Sequence, residues 1–314
     1  MAPAAACTVA LRAIAVSNQT TKHSEMQTAQ LSIPPSVPNP WAEISWEKTV
    51  APGDQEILDR LNARRSKDCG AAAPCAILKK KLIDTSLLPE PYTGRIDSKV
   101  VLLNLNPGLN DCDRCFRGNG TLLAETQATL RQEPGKPCAH HMWLHTDIRC
   151  ADGGLHGGCR WWRQKTHALW QAVRKVRGEA AGGKADRMAP QELDIFVLEY
   201  FPYHSEHAMD FPPLPSDSYR NHLLRHILRE TQKDKDRLVV IMRSKEEWRS
   251  IGDPEIQEGF RAIEEAGQLI VLTNQRNPTV SPGNIGKDAH VRQEAWQKLV
   301  KTLSVPLPVP ASGS

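Results

Sequence analysis

Apolar and polar positions alternate in blocks along this chain, and the clearest block is Val100-Val101-Leu102-Leu103, which runs into Asn104-Leu105-Asn106-Pro107-Gly108. An unbroken apolar run with β-branched residues, stopped by Asn-Pro-Gly, predicts a buried strand ending in a turn. Three similar runs follow, Leu193 to Glu199, Leu238 to Met242 and Leu269 to Leu272. Between them lie stretches with helical spacing: Arg160 to Arg177, Tyr219 to Thr231 and Glu255 to Ala266, with Ala289 to Leu303 after the last strand. Strands separated by helices long enough for crossovers predict an α/β fold, with a central four-stranded, mostly parallel sheet flanked by helices. In such sheets ligands sit beyond the carboxyl ends of the strands.

Upstream, Asp54 is placed to cap a helix running to about Arg65, and a further helix is expected from Cys75 to Ile83. Residues 1–40 are rich in Ala, Ser, Thr, Gln and Pro and are expected to form a mobile arm, with residues 304–314 as a Pro-containing tail. The 41–303 segment then forms one domain. Within it, residues 109–158 form a long insert whose apolar periodicity is confined to Leu122 to Leu130. A loop region of that length is usually functional or pinned.

Composition changes the picture only modestly. The 314 residues carry a net charge of +4, so partners must be argued from clusters. Arg60, Arg64, Arg65 and Lys67, Lys79 to Lys81, Arg160, Arg163 and Lys165, and Arg174, Lys175 and Arg177 are such clusters. They fit either a phosphate backbone or a solvated helix face. Trp161, Trp162 and Trp170 recur at helical spacing and are read as core ahead of base-stacking platforms. No apolar stretch approaches the about 18 residues of a membrane span. No secretory leader pattern opens the chain, so the expectation is a cytoplasmic, monomeric protein with reduced thiols. The insert nevertheless holds Cys112-x-x-Cys115, with Cys138, His140, His141, His145, Cys150 and Cys159 downstream. Cys112 and Cys115 could begin a structural zinc site, or the cysteines could be ordinary thiols.

The segment Asn104-Leu105-Asn106-Pro107-Gly108-Leu109 resembles the first motif of the uracil-DNA glycosylase superfamily, nearest to its mismatch-specific and single-strand-selective branches. Asn277-Pro278-Thr279 resembles the second motif, which likewise follows the last strand. The resemblance spans residues 95–303 and implies an enzyme that flips a base out of DNA and hydrolyses its N-glycosidic bond. It implies that Asn106 holds the attacking water and that Asn277 is its catalytic counterpart in the second motif. The Gly108 backbone would contact the base, and Phe116 would be the floor beneath it. Thr279, Val280, Ser281 and Gly283 would contact DNA, with Val280 in the region from which relatives project a wedge. No cofactor is required for this chemistry.

The sequence departs from the family at Glu199. Relatives carry at this strand end an Asn that reads uracil, and an ionised carboxylate could only accept, as from the N4 amino group of cytosine. Tyr203 and His204 follow as candidate substrate contacts. The expected substrate is therefore a modified cytosine, since excising plain cytosine would destroy the host genome. The superfamily includes phage-defence glycosylases that remove glucosylated hydroxymethylcytosine. Two alternatives remain open: a uracil or mismatch repair glycosylase, and a non-catalytic, zinc-stabilised nucleic-acid-binding module. No Lys stands at the strand ends for lyase chemistry, so a monofunctional enzyme is expected.

Overall fold

A computed structural model of the protein describes residues 37–67, 82–110, 112–133, 150, 153–178, 193–207, 211–286 and 288–305. The elements in chain order are α1 (Gln55–Lys67), β1 (Tyr92–Thr93), β2 (Val100–Asn104), a 3-10 turn (Asp113–Phe116), α2 (Gly120–Arg131), α3 (Gly157–Arg177) and β3 (Ile195–Glu199). They continue with α4 (Asp217–Lys233), β4 (Leu238–Ile241), α5 (Lys245–Arg249), α6 (Pro254–Glu265), β5 (Leu269–Val271), a 3-10 turn (Pro282–Asn284) and α7 (Ala289–Ser304). Most of the expected arm, the tail beyond residue 305 and the helix expected from Cys75 lie outside the described residues; Ile83, at the end of that stretch, is not helical.

The fold is α/β, with a mixed sheet of five strands in the order β1-β3-β2-β4-β5 rather than the four expected. β2 runs parallel to β3 and β4, and β4 parallel to β5. The added strand, β1, pairs antiparallel with β3 through Tyr92↔Leu198 and Thr93↔Val197. It is two residues long, between Pro91 and a left-handed Gly94, and is too short to show an alternating pattern.

Both faces of the sheet are covered, which is why its strands read as continuous apolar runs. Val101, Leu103, Phe196, Leu198, Val239 and Ile241 pack with Leu58 of α1, Leu224 of α4 and Phe260 of α6. Val100, Leu102, Ile195, Val197 and Val240 pack with Trp162, Leu169 and Trp170 of α3 and Leu299 of α7. Trp162 and Trp170 are thus core. Strand alternation carries Asn104 and Glu199 onto this second face, at its carboxyl end.

Two local expectations are overturned by tertiary contacts. The Asp54 side chain does not cap α1: its carboxylate accepts Ser216 N and Oγ at 3.1 and 2.6 Å and the Tyr203 hydroxyl at 2.8 Å. It joins the start of α1 to the start of α4. The Cys112 thiol is neither reduced nor free for zinc, because it forms a disulfide with Cys150, 38 positions away. Cys115 is an exposed free thiol, and no group of three His, Cys, Asp or Glu poised for a metal occurs among the described residues. Cys138, His140, His141 and His145 lie outside them. Among the described residues no helix is long and apolar enough to cross a membrane.

Candidate active site

Because β2, β3, β4 and β5 run parallel, their carboxyl ends share one edge, and the segments carrying Asn106, His204, Arg243 and Asn277 all leave from it. The segment after β3 is tied along the segment after β2: Tyr200 N donates to Asn104 O at 3.2 Å and Phe201 N to Leu105 O at 2.8 Å. Asn106 is buried, and its Nδ2 donates to Ser205 Oγ at 3.1 Å and Pro107 O at 2.8 Å. The exposed Gly108 has its carbonyl 2.8 Å from His204 Nδ1, while His204 Nε2 lies 3.0 Å from Leu88 O. Only an imidazolium can donate to both carbonyls. Burial alone would lower this histidine, but Glu90, Asp113 and the two carbonyls raise it above its ordinary range.

Glu199 and Asn104 are register partners, joined by Asn104 Nδ2 donating to Glu199 Oε1 at 2.9 Å. Glu199 Oε2 and Asn104 Oδ1 are both buried with no hydrogen-bond partner among the described residues. Burial pushes the Glu199 carboxyl up to about 8, with the Asn104 bond opposing, Glu90 adding and Arg243 opposing. A proton on Glu199 supplies the donor that this pair of acceptors lacks. At neutral pH Glu199 is then a neutral acid, not the ionised acceptor expected from the sequence. Glu199 is buried at the strand end, which strand composition does not reveal.

Arg243, just past β4, precedes Ser244 in the left-handed region at φ 57°, a cost found where the surroundings over-determine a turn. Burial lowers the Arg243 guanidinium, with Glu199 opposing, and Lys165 of α3 is lowered by burial and then by Arg243. Lys165 Nζ in turn donates to Asn277 Oδ1 at 2.5 Å. Electrostatics thus connects Glu199 with the Asn277 segment through two cations.

That segment is braced by Asn284, whose Nδ2 donates to Thr279 O at 2.9 Å and whose Oδ1 accepts from Asn274 N at 2.6 Å. Asn277 and Gly283 are exposed, with Thr279 and Ser281 half-buried. Val280 is no wedge. It is 0% exposed within the second core, and its amide donates to Lys165 O at 2.7 Å.

Phe116 is buried and edge-on to the His156 ring at 5.5 Å, so it presents little surface to a base. His156 Nδ1 accepts from Gly158 N at 3.1 Å, and its Nε2 lies 2.6 Å from Asp113 Oδ1. A Cβ at Gly157 would fall 2.4 Å from Asn110 Nδ2, so any larger residue there would displace the Asn110 side chain. Tyr203 turns away from the edge: fully buried, it is edge-on to Trp41 and Phe201, and its hydroxyl donates to Asp54 and accepts from Ala51 N at 3.0 Å. It is a core residue, placed so by Asp54, a partner remote in sequence. Tyr203→Phe is expected to cost about 1–3 kcal/mol of stability in urea unfolding, by orphaning buried polar groups.

The structure brings Asn106, Gly108, Glu199 and His204 to one edge, and it adds Glu90, which the sequence did not single out. Glu90 stands between Pro89 and Pro91, and a carboxylate locked between two prolines before a strand was the available signal. It lines a shallow cleft with Asp113 and His204 against Trp46, Leu88 and Leu122. Compared with protein-family models, with curated proteins and with solved structures, the chain matches none.

Proposed function

We propose that this chain is a monofunctional DNA glycosylase with a uracil-DNA glycosylase-like fold, which hydrolyses the N-glycosidic bond of a flipped-out modified pyrimidine, a modified cytosine where Glu199 is ionised, and leaves an abasic site. The observation that carries the reading is that the two Asn-Pro segments, at Asn106 and Asn277, leave the same edge of the parallel strands. Breaking this bond makes an electron-poor sugar and an electron-rich base, and needs one positioned water. Asn106, with its amide fixed by Ser205, orients that water. The exposed Asn277 segment and Lys165 grip the DNA backbone.

The neutral state of Glu199 favours a second reading, excision of uracil. A protonated carboxyl donates to the O4 of uracil, whereas only the ionised form accepts without donating at cytosine N4. The two readings separate with pH: cytosine-derivative excision gains on uracil excision as pH rises through about 8, where Glu199 ionises.

Single-turnover assays on DNA carrying uracil, hydroxymethylcytosine or glucosylated hydroxymethylcytosine test the proposal. Alkali-labile sites without a borohydride-trapped adduct are expected. Asn106→Ala should abolish them and retain DNA binding. Wild-type protein that binds DNA and cleaves none of these substrates refutes the enzyme and leaves the binding-module reading.

A further inference from the structure

We propose that Glu90 is the general base of this site, the group that takes the proton from the attacking water; this role rests on the base-excision reading. A carboxamide such as Asn106 can orient water but is not basic enough to deprotonate it, so a proton acceptor is needed nearby. His204 cannot serve, since both ring nitrogens face carbonyls and the ring is held as an imidazolium. Asp113 cannot serve either. Its carboxylate accepts Asn110 N at 2.6 Å and Asn110 Nδ2 at 3.2 Å, and lies 2.6 Å from His156 Nε2. Glu199 is bonded to Asn104 and protonated.

Glu90 alone among these carboxyl groups has no hydrogen bond among the described residues, only a 3.9 Å approach to His204 Nε2. Its side chain is 25% exposed, opening into the cleft it shares with His204 and Asp113. Its backbone is fixed, with Glu90 N donating to Pro202 O at 2.9 Å, so it is held beside the segment that carries His204 and Ser205, the partner of Asn106. Burial raises its carboxyl, His204 opposes, Asp113 adds and His156 opposes. An under-solvated carboxylate with no hydrogen bond among the described residues, beside a cation, is a stronger base than a free glutamate.

The step balances without another reactant. The water oxygen bonds to C1′ of the sugar, one water proton passes to the Glu90 carboxylate, and the electron pair of the C1′–N bond leaves with the base. The departing base takes its proton from Glu199 or from solvent, and Glu90 returns its proton to solvent.

Glu90→Gln, measured against wild type in single-turnover excision of uracil- and glucosylated-hydroxymethylcytosine-containing DNA, tests this role. A loss of about 10²–10³-fold is expected, with DNA affinity and thermal midpoint unchanged. The acid limb of the wild-type pH–rate profile should vanish. Added formate should restore part of the rate of Glu90→Ala, which a merely structural glutamate does not allow. Excision by Glu90→Gln within about threefold of wild type, or a loss with an unchanged pH profile and no formate rescue, overturns the role of Glu90 alone. No excision by wild type overturns the base-excision reading and this role with it.

Discussion

Asn106→Ala is expected to lower base release by on the order of 10²- to 10³-fold, the usual effect of deleting one pre-positioned hydrogen-bonding group at a charged transition state. Asn106 is 4% exposed, and its amide is spanned between Ser205 Oγ and Pro107 O. These two bonds fix the orientation of the amide. In the proposed mechanism, removing it takes away the group that holds the water and leaves the exposed Asn277 segment free to contact phosphates. DNA affinity should consequently stay near wild type, which an electrophoretic or anisotropy titration checks. Ser205→Ala, which frees the amide without deleting it, should give a smaller loss. An equal loss of binding and rate in Asn106→Ala would mean that the residue shapes the loop and does not act on water.

Glu199→Gln is expected to raise stability at alkaline pH and to remove a pH dependence that wild type shows. The Glu199 carboxyl titrates near 4.5 when unperturbed and near 8 in the fold. Below 4.5 both states hold the proton, and burial carries no ionic penalty. Between those values only the folded chain holds it, so stability falls by about 1.4 kcal/mol per pH unit, and above about 8 the full penalty is present. Glutamine cannot ionise, and its amide provides the donor that the Asn104–Glu199 pair lacks when ionised. Urea unfolding at pH 5 and pH 8.5 should show wild type losing several kcal/mol relative to the variant, on the order of 1.4 for each pH unit crossed. Parallel curves for the two proteins would mean that Glu199 remains ionised throughout and finds a partner for Oε2.

The sequence displayed what continuous burial writes into it. Val100 to Asn104 and Ile195 to Glu199 are covered on both faces, so their apolar runs are unbroken and stop where the edge begins. With helices between them the strands had to run parallel, which placed the segments of Asn106 and Asn277 on a common edge. Residues whose role depends on a partner far along the chain were not legible. Tyr203 looked like a substrate contact until Asp54 claimed its hydroxyl, and Asp54 looked like a helix cap until Ser216 and Tyr203 claimed its carboxylate. Val280 looked available as a wedge, but α3 draws its amide and side chain inward. Cys112 with Cys115 suggested a metal pair, whereas Cys150 reaches Cys112 first. Glu90 carried only the signal of its two flanking prolines, because a strand of two residues leaves no pattern around it.

The most direct measurement is mass spectrometry of the bases released when purified protein is incubated with DNA containing uracil, hydroxymethylcytosine or glucosylated hydroxymethylcytosine. A free pyrimidine base released from one of these, and absent with Asn106→Ala, is the expected result. DNA that returns with every base attached, under conditions where the protein is bound to it, contradicts base excision at this edge of the sheet.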